Sequence, residues 1–585
     1  MDLRGMTVKK KIIFVLLILV IACSTLEKEE KPELFLLGLD GFNWHVAYPL
    51  VKQGLLPNVE KLMEKGVSSP FQSFIPTVSP ILWTSIATGK TPDKHRIYWR
   101  VVSKSKNDPD TKFSMSSQER DCKAFWNILS DAKFTVDLIN WWCSWPAEVI
   151  NGYNVTFSYM QYDETDEGIY PPEFLEELDD QHFDIGIPSE MKPWLENAKM
   201  NLPAIDEDRL SFRWGQKGSY VDKPSDDEIM KLIQERYDVV KNVAVQDNKV
   251  RTISEYILNK NRNIDLFAAY FWYVDLMQHH YWKYMEPEYF DVDQKEMKVF
   301  NGAIPAYFMY MDSVLEGMIN RISPNGHIII CSDHGMEPGQ REKQISEHID
   351  IAGIINKMKF VNDNPDVKIK IHDSIRTIRT FRLDFPETYD LDKKNDFKEK
   401  FTVELKKIKG LKKGEPLFDQ VLIMGENDTK VSYEGRYLFL LDPADISIAI
   451  NIYMGIDENI KLGEQDVPIK QFVPYAPQPS GNHPDAPDGF FLGYGPYFAQ
   501  GYPDTKPTLL DITPTILYFF GLPVAEDMDG SPFMPLFKSE FKNKNPVKKI
   551  KTYEQGKRDK KNLKVKTRDH QNDMIDQLKS LGYIQ

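Results

Sequence analysis

At 585 residues, with 42% hydrophobic and 27% charged residues, the chain has the composition of a folded protein large enough for one big core carrying long insertions. Its net charge of −14 leaves no cationic surplus for a nucleic-acid backbone, so no nucleic-acid polymer is expected as a partner. An acidic chain can still handle small phosphates where positive charge is local or comes from a metal.

Arg4 and the run Lys9, Lys10, Lys11 precede eleven apolar residues, Ile12 to Ala22, which end at Cys23. That run is too short to cross a bilayer and reads as a signal peptide over residues 1–23. Its end, VIAC, resembles a bacterial lipobox, which makes Cys23 the expected lipidation site. Ser24 in the next position, where Asp would favour the inner membrane, favours the outer. The expectation is an exported bacterial lipoprotein, membrane-anchored in the periplasm or at the cell surface, with residues 24–33 as a linker. Three cysteines remain, and no CxxC spacing points to a cysteine metal site. A Cys122–Cys143 disulfide is open in an exported chain, and Cys331 reads as a buried thiol.

ELFLLGLDGF then predicts a buried strand ending at Asp40-Gly41, and LPNVEKLMEKG predicts a helix. IPTVSPILWTSIATG, Ile75 to Gly89, places Ser79 before Pro80 at the start of an apolar helix, so Ser79 is the expected N-cap. A helix and a strand, Thr135 to Trp141, follow. From about 152 to 227 the pattern breaks into Pro-rich and acidic loops, expected as a cap inserted over the sheet edge. A helix over about Asp227 to Lys260 leads into a strand, Leu266 to Tyr273, ending at Asp275. Another, Gly302 to Arg321, leads into HIIICSDHGM, a strand ending at Asp333-His334. Residues 337–479 read as a second insertion. DGFFLGYGPYF resumes the sheet, and DITPTILYFFGLP predicts a helix capped by Asp511. The basic stretch 537–585 reads as a solvated tail, or as a segment attracted to an anionic membrane surface. The expected fold class is α/β, with a mostly parallel central sheet, helices on both faces and two inserted cap regions, in one domain at 34–536.

Three strand ends thus carry carboxylates, and in a parallel sheet those ends share one edge. His279 follows Asp275 at i+4, which puts both on one helical face or one turn. Aspartate with neutral imidazole is a ligand set that zinc and related divalent ions accept. His95 and His372 stand alone and read as structural.

The joint pattern of LGLDG, a Ser-Pro helix start, DLMQH, SDHGM and SGNH resembles the alkaline phosphatase superfamily, in its type I phosphodiesterase and nucleotide pyrophosphatase branch. The resemblance covers about residues 34–147, 265–336 and 480–532. It implies two divalent metal ions, usually zinc, with a serine or threonine nucleophile between them. One ion would be held by Asp40, Asp333 and His334, the other by Asp275, His279 and His483 from SGNH, with His280 the competing choice for His279. Counting back from Thr88-Gly89, Ser79 aligns with the nucleophile; Thr77 and Ser85 are alternatives and Thr84 a more remote one. The residues agree with this chemistry, since no general-base histidine is visible near Ser79 and bound metal can replace it. Helix N–H groups after Ser79 are expected to add to oxyanion stabilisation.

The expected activity is phosphodiester or nucleotide pyrophosphate hydrolysis on a small phosphate ester. Phosphomonoester hydrolysis or head-group transfer is the alternative within enzymes, and a metal-binding surface lipoprotein without turnover the alternative outside them. Two departures bear on the substrate. Leu82 stands where many diesterases of the branch have a phosphate-contacting asparagine, and no phosphate-facing cation is identifiable, although Lys90, Arg96 and Arg100 follow the helix. SPILW lacks the arginine of sulfatase motifs. Tyr159 and Tyr162 are candidates to stack on a base or cover a lipid head group.

Overall fold

The computed structural model describes residues 33–75, 77–97, 116–163, 167–202, 226–260, 263–290, 292–339, 349–372, 378–425, 430–433, 436–439, 444–451, 454–462, 464–473, 480–483 and 487–554. The signal peptide with Cys23, nearly all of the linker, Trp99, Arg100, the Tyr162 side chain and the tail beyond residue 554 lie outside them. Among the described residues no helix is long and apolar enough to cross a membrane.

Eight strands form the central sheet: β1 (Leu34–Leu39), β2 (Val67–Phe71), β3 (Val136–Ile139), β4 (Asn154–Val155), β5 (Ile169–Tyr170), β6 (Leu266–Phe271), β7 (His327–Cys331) and β8 (Gly489–Tyr494). Their order is β2-β8-β7-β1-β6-β3-β4-β5. The pairs β7–β1, β1–β6, β6–β3 and β3–β4 are parallel, while β8 and β5 run against their neighbours. LFLLGL, LFAAYF and HIIIC are buried at every position, as strands covered on both faces must be. Register aligns Leu39 with Phe271 and Gly38 with Cys331, so the carboxyl ends of β1, β6 and β7 come level. Since β6 and β7 flank β1 on opposite sides, the crevice beyond these ends is where such sheets bind ligands.

The second of these strands, β6, is shorter than expected. It stops at Phe271, and helix α3 (Tyr273–Met285) begins two residues later, so Asp275 sits in a first helical turn rather than at a strand end. The stretch 152–227, expected as an inserted cap, instead lengthens the sheet by β4 and β5. Its helices Glu173–Asp180 and Lys192–Met200 bury Phe174, Leu178, Leu195 and Ala198 in the same core as the sheet. The second inserted stretch builds a four-stranded antiparallel sheet with the helix Leu391–Lys406 against it and a core of its own. It meets the catalytic core where Ile75 packs with Ile378, Met424 and Ala449, four residues before Ser79.

The basic tail begins later than expected. Phe537 and Phe541 join an aromatic cluster with Tyr497 and Tyr518, Lys549–Ile550 pairs with Val524–Ala525, and Glu554 accepts from Lys90 Nζ at 3.2 Å and from the Lys123 N–H at 3.0 Å. Aromatic burial, not charge, decides this docking. Cys122 and Cys143 are buried thiols rather than a disulfide; the buried Arg120 guanidinium donates to both of their carbonyls, at 2.9 and 3.3 Å.

Helix α2 (Asp226–Leu258) packs on α4 (Ala303–Ile319) and buries Asp247 completely, with Oδ2 accepting from the Tyr307 hydroxyl at 2.6 Å. Burial pushes the Asp247 carboxyl up to about 7, against the pull of the Tyr307 hydroxyl and of backbone N–H groups of Tyr273 and Trp272. A carboxyl raised above its unfolded value favours the folded state at low pH, and that contribution is lost as pH rises through about 7. Asp247→Asn, which keeps the neutral shape, is expected to remove this loss. Denaturant unfolding at pH 5 and pH 8 should show the variant gaining on the wild type at pH 8; an equal difference at both values would refute the assignment.

Candidate active site

The helix α1 (Ser79–Thr88) is buried along its whole length and ends at Gly89, whose φ of 66° closes it. Ser79 is its first residue and not its cap. Val78 precedes it in extended conformation, and the Val78 carbonyl takes the N–H groups of Ile81 and Leu82 at 2.8 and 3.0 Å. Pro80 has no N–H to offer, so the helix start expected to cradle an oxyanion has these donors already engaged. The side-chain hydroxyls separate the nucleophile candidates. Thr84 and Ser85 donate back to Pro80 O and Ile81 O, at 2.6 and 3.0 Å, and Thr77 donates to His483 O at 2.9 Å. Ser79 Oγ is buried without a hydrogen-bond partner.

Trp83 lies one turn on from Ser79, on the same helical face. Its indole N–H donates to Asp40 Oδ2 at 3.0 Å, which turns that face toward the end of β1. Gly38 makes room, because a Cβ there would stand 2.5 Å from the Trp83 ring.

Asp40, Asp275, Asp333, His279, His334 and His483 are all fully buried at this edge. Two groups of three offer ligand atoms within 4.8 Å of one another: Asp40, Asp333 and His334, and Asp275, His334 and His483. His334 Nε2 is 3.5 Å from Asp40 Oδ1, 3.5 Å from Asp333 Oδ2 and 3.8 Å from Asp275 Oδ1, so it stands within reach of both groups. His279 Nε2 lies 3.3 Å from Asp275 Oδ2 and 3.1 Å from His483 Nε2, which in turn lies 3.4 Å from Asp275 Oδ1. The i+4 spacing is thus realised on α3 by His279, the neighbour of His280.

This donor set fits divalent metal. Three buried carboxylates face one another: burial, then Asp333 and Asp275, holds the Asp40 carboxyl well above its usual range, and burial raises Asp333 against the pull of His334. Burial raises Asp275 too, but His279 and His483 outweigh it and hold it well below. The imidazoles are aimed as ligands. His334 Nδ1 and His279 Nδ1 each meet a carbonyl, Gly335 O and Gly481 O, at 2.8 Å. A carbonyl only accepts, so Nδ1 of each ring carries a proton, and Nε2 is the atom each ring turns into the cluster. Asp40 Oδ1, Asp333 Oδ2 and His334 Nε2 are buried with no hydrogen-bond partner, the condition of atoms shaped for a cation.

Gly41 draws the three ligand segments together. Its N–H donates to Asp333 Oδ1 at 3.3 Å, and its carbonyl accepts from Asn43 Nδ2 and Gln278 Nε2, both at 2.9 Å. Its φ is 65°, and a Cβ would come within 3.2 Å of Asp275 Cα. Asn43 and Gln278 escape a sequence reading, because nothing marks an amide in DGFN or DLMQH as a clamp until the segments meet.

The remaining sequence candidates lie elsewhere. Lys90 pairs with Asp527 at 2.9 Å and Arg96 with Asp121 at 3.9 Å, both beyond the far end of α1. Leu82 is fully buried. The Tyr159 ring is covered by Lys249 Nζ, 5.0 Å from its centroid. His95 accepts the Ile97 N–H at Nδ1, so its Nε2–H donates to Ser85 Oγ at 3.0 Å, a structural role. The side chain of His372 lies outside the described residues.

The family model described as Type I phosphodiesterase / nucleotide pyrophosphatase matches residues 34–434, a span that includes Ser79 and five of the six clustered residues and stops short of His483. No curated protein matches the chain. Similar solved structures include human ectonucleotide pyrophosphatase/phosphodiesterase 5, at 14% identity and TM-score 0.47, covering 87% of this chain and 100% of that one. Phosphonoacetate hydrolase from Sinorhizobium meliloti, in complex with phosphonoformate, matches at 14% identity and TM-score 0.47, over 84% of this chain and 95% of that one. An inactive variant of the murine ectonucleotide enzyme in complex with AMP matches at 13% identity and TM-score 0.44, over 84% and 96%.

Gly41→Ala tests the close approach. Gly54, at φ 72° with nothing within 4 Å of its Cβ position, is the matched control. Each substitution should cost about 1–2 kcal/mol for a left-handed alanine, measured by denaturant unfolding. Only Gly41→Ala should also weaken divalent-metal uptake, followed by titration of apo-protein; equal uptake by the two variants would contradict the crowding of Asp275.

Proposed function

The chain belongs to the type I phosphodiesterase / nucleotide pyrophosphatase family, and on that premise we propose that this phosphoric ester hydrolase cleaves phosphodiesters or nucleotide pyrophosphates through a phosphoserine on Ser79. The observation that carries the reading is the orphaned Ser79 hydroxyl, on a helix whose Trp83 is bonded to Asp40 of the carboxylate–imidazole cluster.

Asp40, Asp333 and His334 would hold one divalent ion, and Asp275, His279 and His483 the other, with His334 within reach of both. When bound, two such ions, zinc by family habit, supply the positive charge that lets a serine hydroxyl ionise near neutral pH and that offsets the charge of the phosphate. Ser79 Oγ then attacks phosphorus, its proton passing to solvent, and the bond to the leaving oxygen breaks. Water attacks the phosphoserine, the P–Oγ bond breaks, and Ser79 recovers a proton as the phosphate product leaves. Thr77, hydrogen-bonded to the His483 carbonyl, keeps the approach to α1 against the SGNH segment. The basic and apolar start ending at Cys23 supports an exported, lipid-anchored enzyme acting on a small phosphate ester outside the cytoplasm.

Ser79→Ala is expected to lower hydrolysis of a bis-aryl phosphate by about a thousandfold or more, because the covalent step is lost. Ser85→Ala should leave the rate within about threefold, since its hydroxyl is engaged inside α1. The same assay with mono-aryl phosphate decides the ester class, and unchanged hydrolysis by Ser79→Ala would remove the nucleophile assignment.

A further inference from the structure

Asp40 is treated unequally at its two oxygens. Oδ2 accepts the Trp83 indole N–H at 3.0 Å and the Tyr270 hydroxyl. Oδ1 has no donor and lies 3.5 Å from His334 Nε2, inside the cluster. The Tyr270 hydroxyl is itself oriented, since the Trp142 indole N–H donates to it at 2.8 Å. An indole N–H can only donate, so it takes a lone pair of the phenol and leaves the phenolic proton for Asp40. All three rings are buried and held by ring contacts, Trp83 edge to face against Tyr270 at 4.8 Å and Trp142 stacked on Phe157 at 3.8 Å, which hold each ring to its bond.

We propose that Tyr270 and Trp83 are positioning residues that lock Asp40 as a one-oxygen ligand, with Oδ2 occupied by two donors and Oδ1 presented to the ion shared with Asp333 and His334. The inference rests on the metal reading above. It gives two buried aromatic residues, one in β6 and one on the nucleophile helix, a role that ordinary core packing does not require. Trp83 has a second consequence: the bond that orients the ligand also fixes the helix face carrying Ser79, so ligand and nucleophile are set by one contact. Outer donors of this kind typically change metal affinity by about 10- to 100-fold when removed.

The test is a competition titration of full-length apo-protein with zinc and a chromophoric chelator. The wild type should take up two ions. Tyr270→Phe should weaken one of the two binding steps by about 10- to 100-fold and leave the other unchanged, and Trp83→Phe should weaken the same step. Tyr307→Phe is the control, because it removes another buried hydroxyl bonded to an aspartate, Asp247, outside the cluster; both of its steps should match the wild type. The proposal is overturned if Tyr270→Phe and Trp83→Phe both bind as the wild type does, or if Tyr307→Phe weakens binding equally. Failure of the wild type itself to take up two ions would instead bring down the metal reading, and this inference with it.

Discussion

Mutual repulsion among three buried carboxylates is the constraint on which the active edge depends. Asp40, Asp275 and Asp333 are each fully removed from water, and like charges at that range raise one another's cost of ionisation. The surroundings answer in an ordered way. Two imidazoles donate their Nδ1–H groups to carbonyls and turn Nε2 inward, Asp40 has one oxygen occupied by Trp83 and Tyr270, and Asp333 has one occupied by the Gly41 N–H. What remains facing inward includes Asp40 Oδ1, Asp333 Oδ2 and His334 Nε2, three buried atoms without a hydrogen-bond partner. A bound cation would complete that arrangement.

The sheet explains how such a cluster can be assembled precarious in charge yet rigid in place. Strands β1, β6 and β7 are paired along their whole lengths and buried on both faces, so their ends cannot drift. The residues added beyond those ends are tied by short bonds across the edge: the Asp40 N–H to Phe271 O at 2.9 Å, the Gly41 carbonyl to Gln278, and the Ser480 N–H to His279 O at 2.6 Å. These bonds join ligands from three segments of the chain, which is how residues as far apart as Asp40 and His483 keep ångström-scale geometry.

Continuous apolar strands ending in Asp, and an Asp-to-His spacing of four, were legible because their signal is local: periodicity and a polar terminus. The fold class and the meeting of Asp40, Asp275, Asp333 and His334 at one edge follow from that pattern. Three kinds of feature were not legible. Helix limits slip by a residue, and that is enough to turn Ser79 from a cap into a first helical residue, whose hydroxyl has no capping duty. Contacts between distant segments leave no local mark, so Asn43, Gln278 and Tyr270 read as ordinary loop, helix and strand residues. Composition also misleads where aromatics and charges mix, as at Phe537 to Glu554, where rings dock a stretch that net charge alone assigns to solvent.

The departure at Leu82 takes on a physical meaning beside the structure of α1. Where related diesterases offer an asparagine, this chain offers a buried methyl-bearing side chain, and the neighbouring N–H groups of Ile81 and Leu82 are already bonded to Val78. Lys90 and Arg96 are held by acidic partners beyond the far end of a ten-residue helix, roughly 15 Å from Ser79 at 1.5 Å per residue. Neither the protein backbone after Ser79 nor these side chains can therefore balance the charge on the phosphate. In the proposed reaction the ions held by the carboxylate–imidazole cluster carry the part of that task which these described groups do not, and the orientation of Asp40 becomes correspondingly important. The inserted sheet packs on Ile75, four residues before Ser79, and so braces the segment that leads into α1.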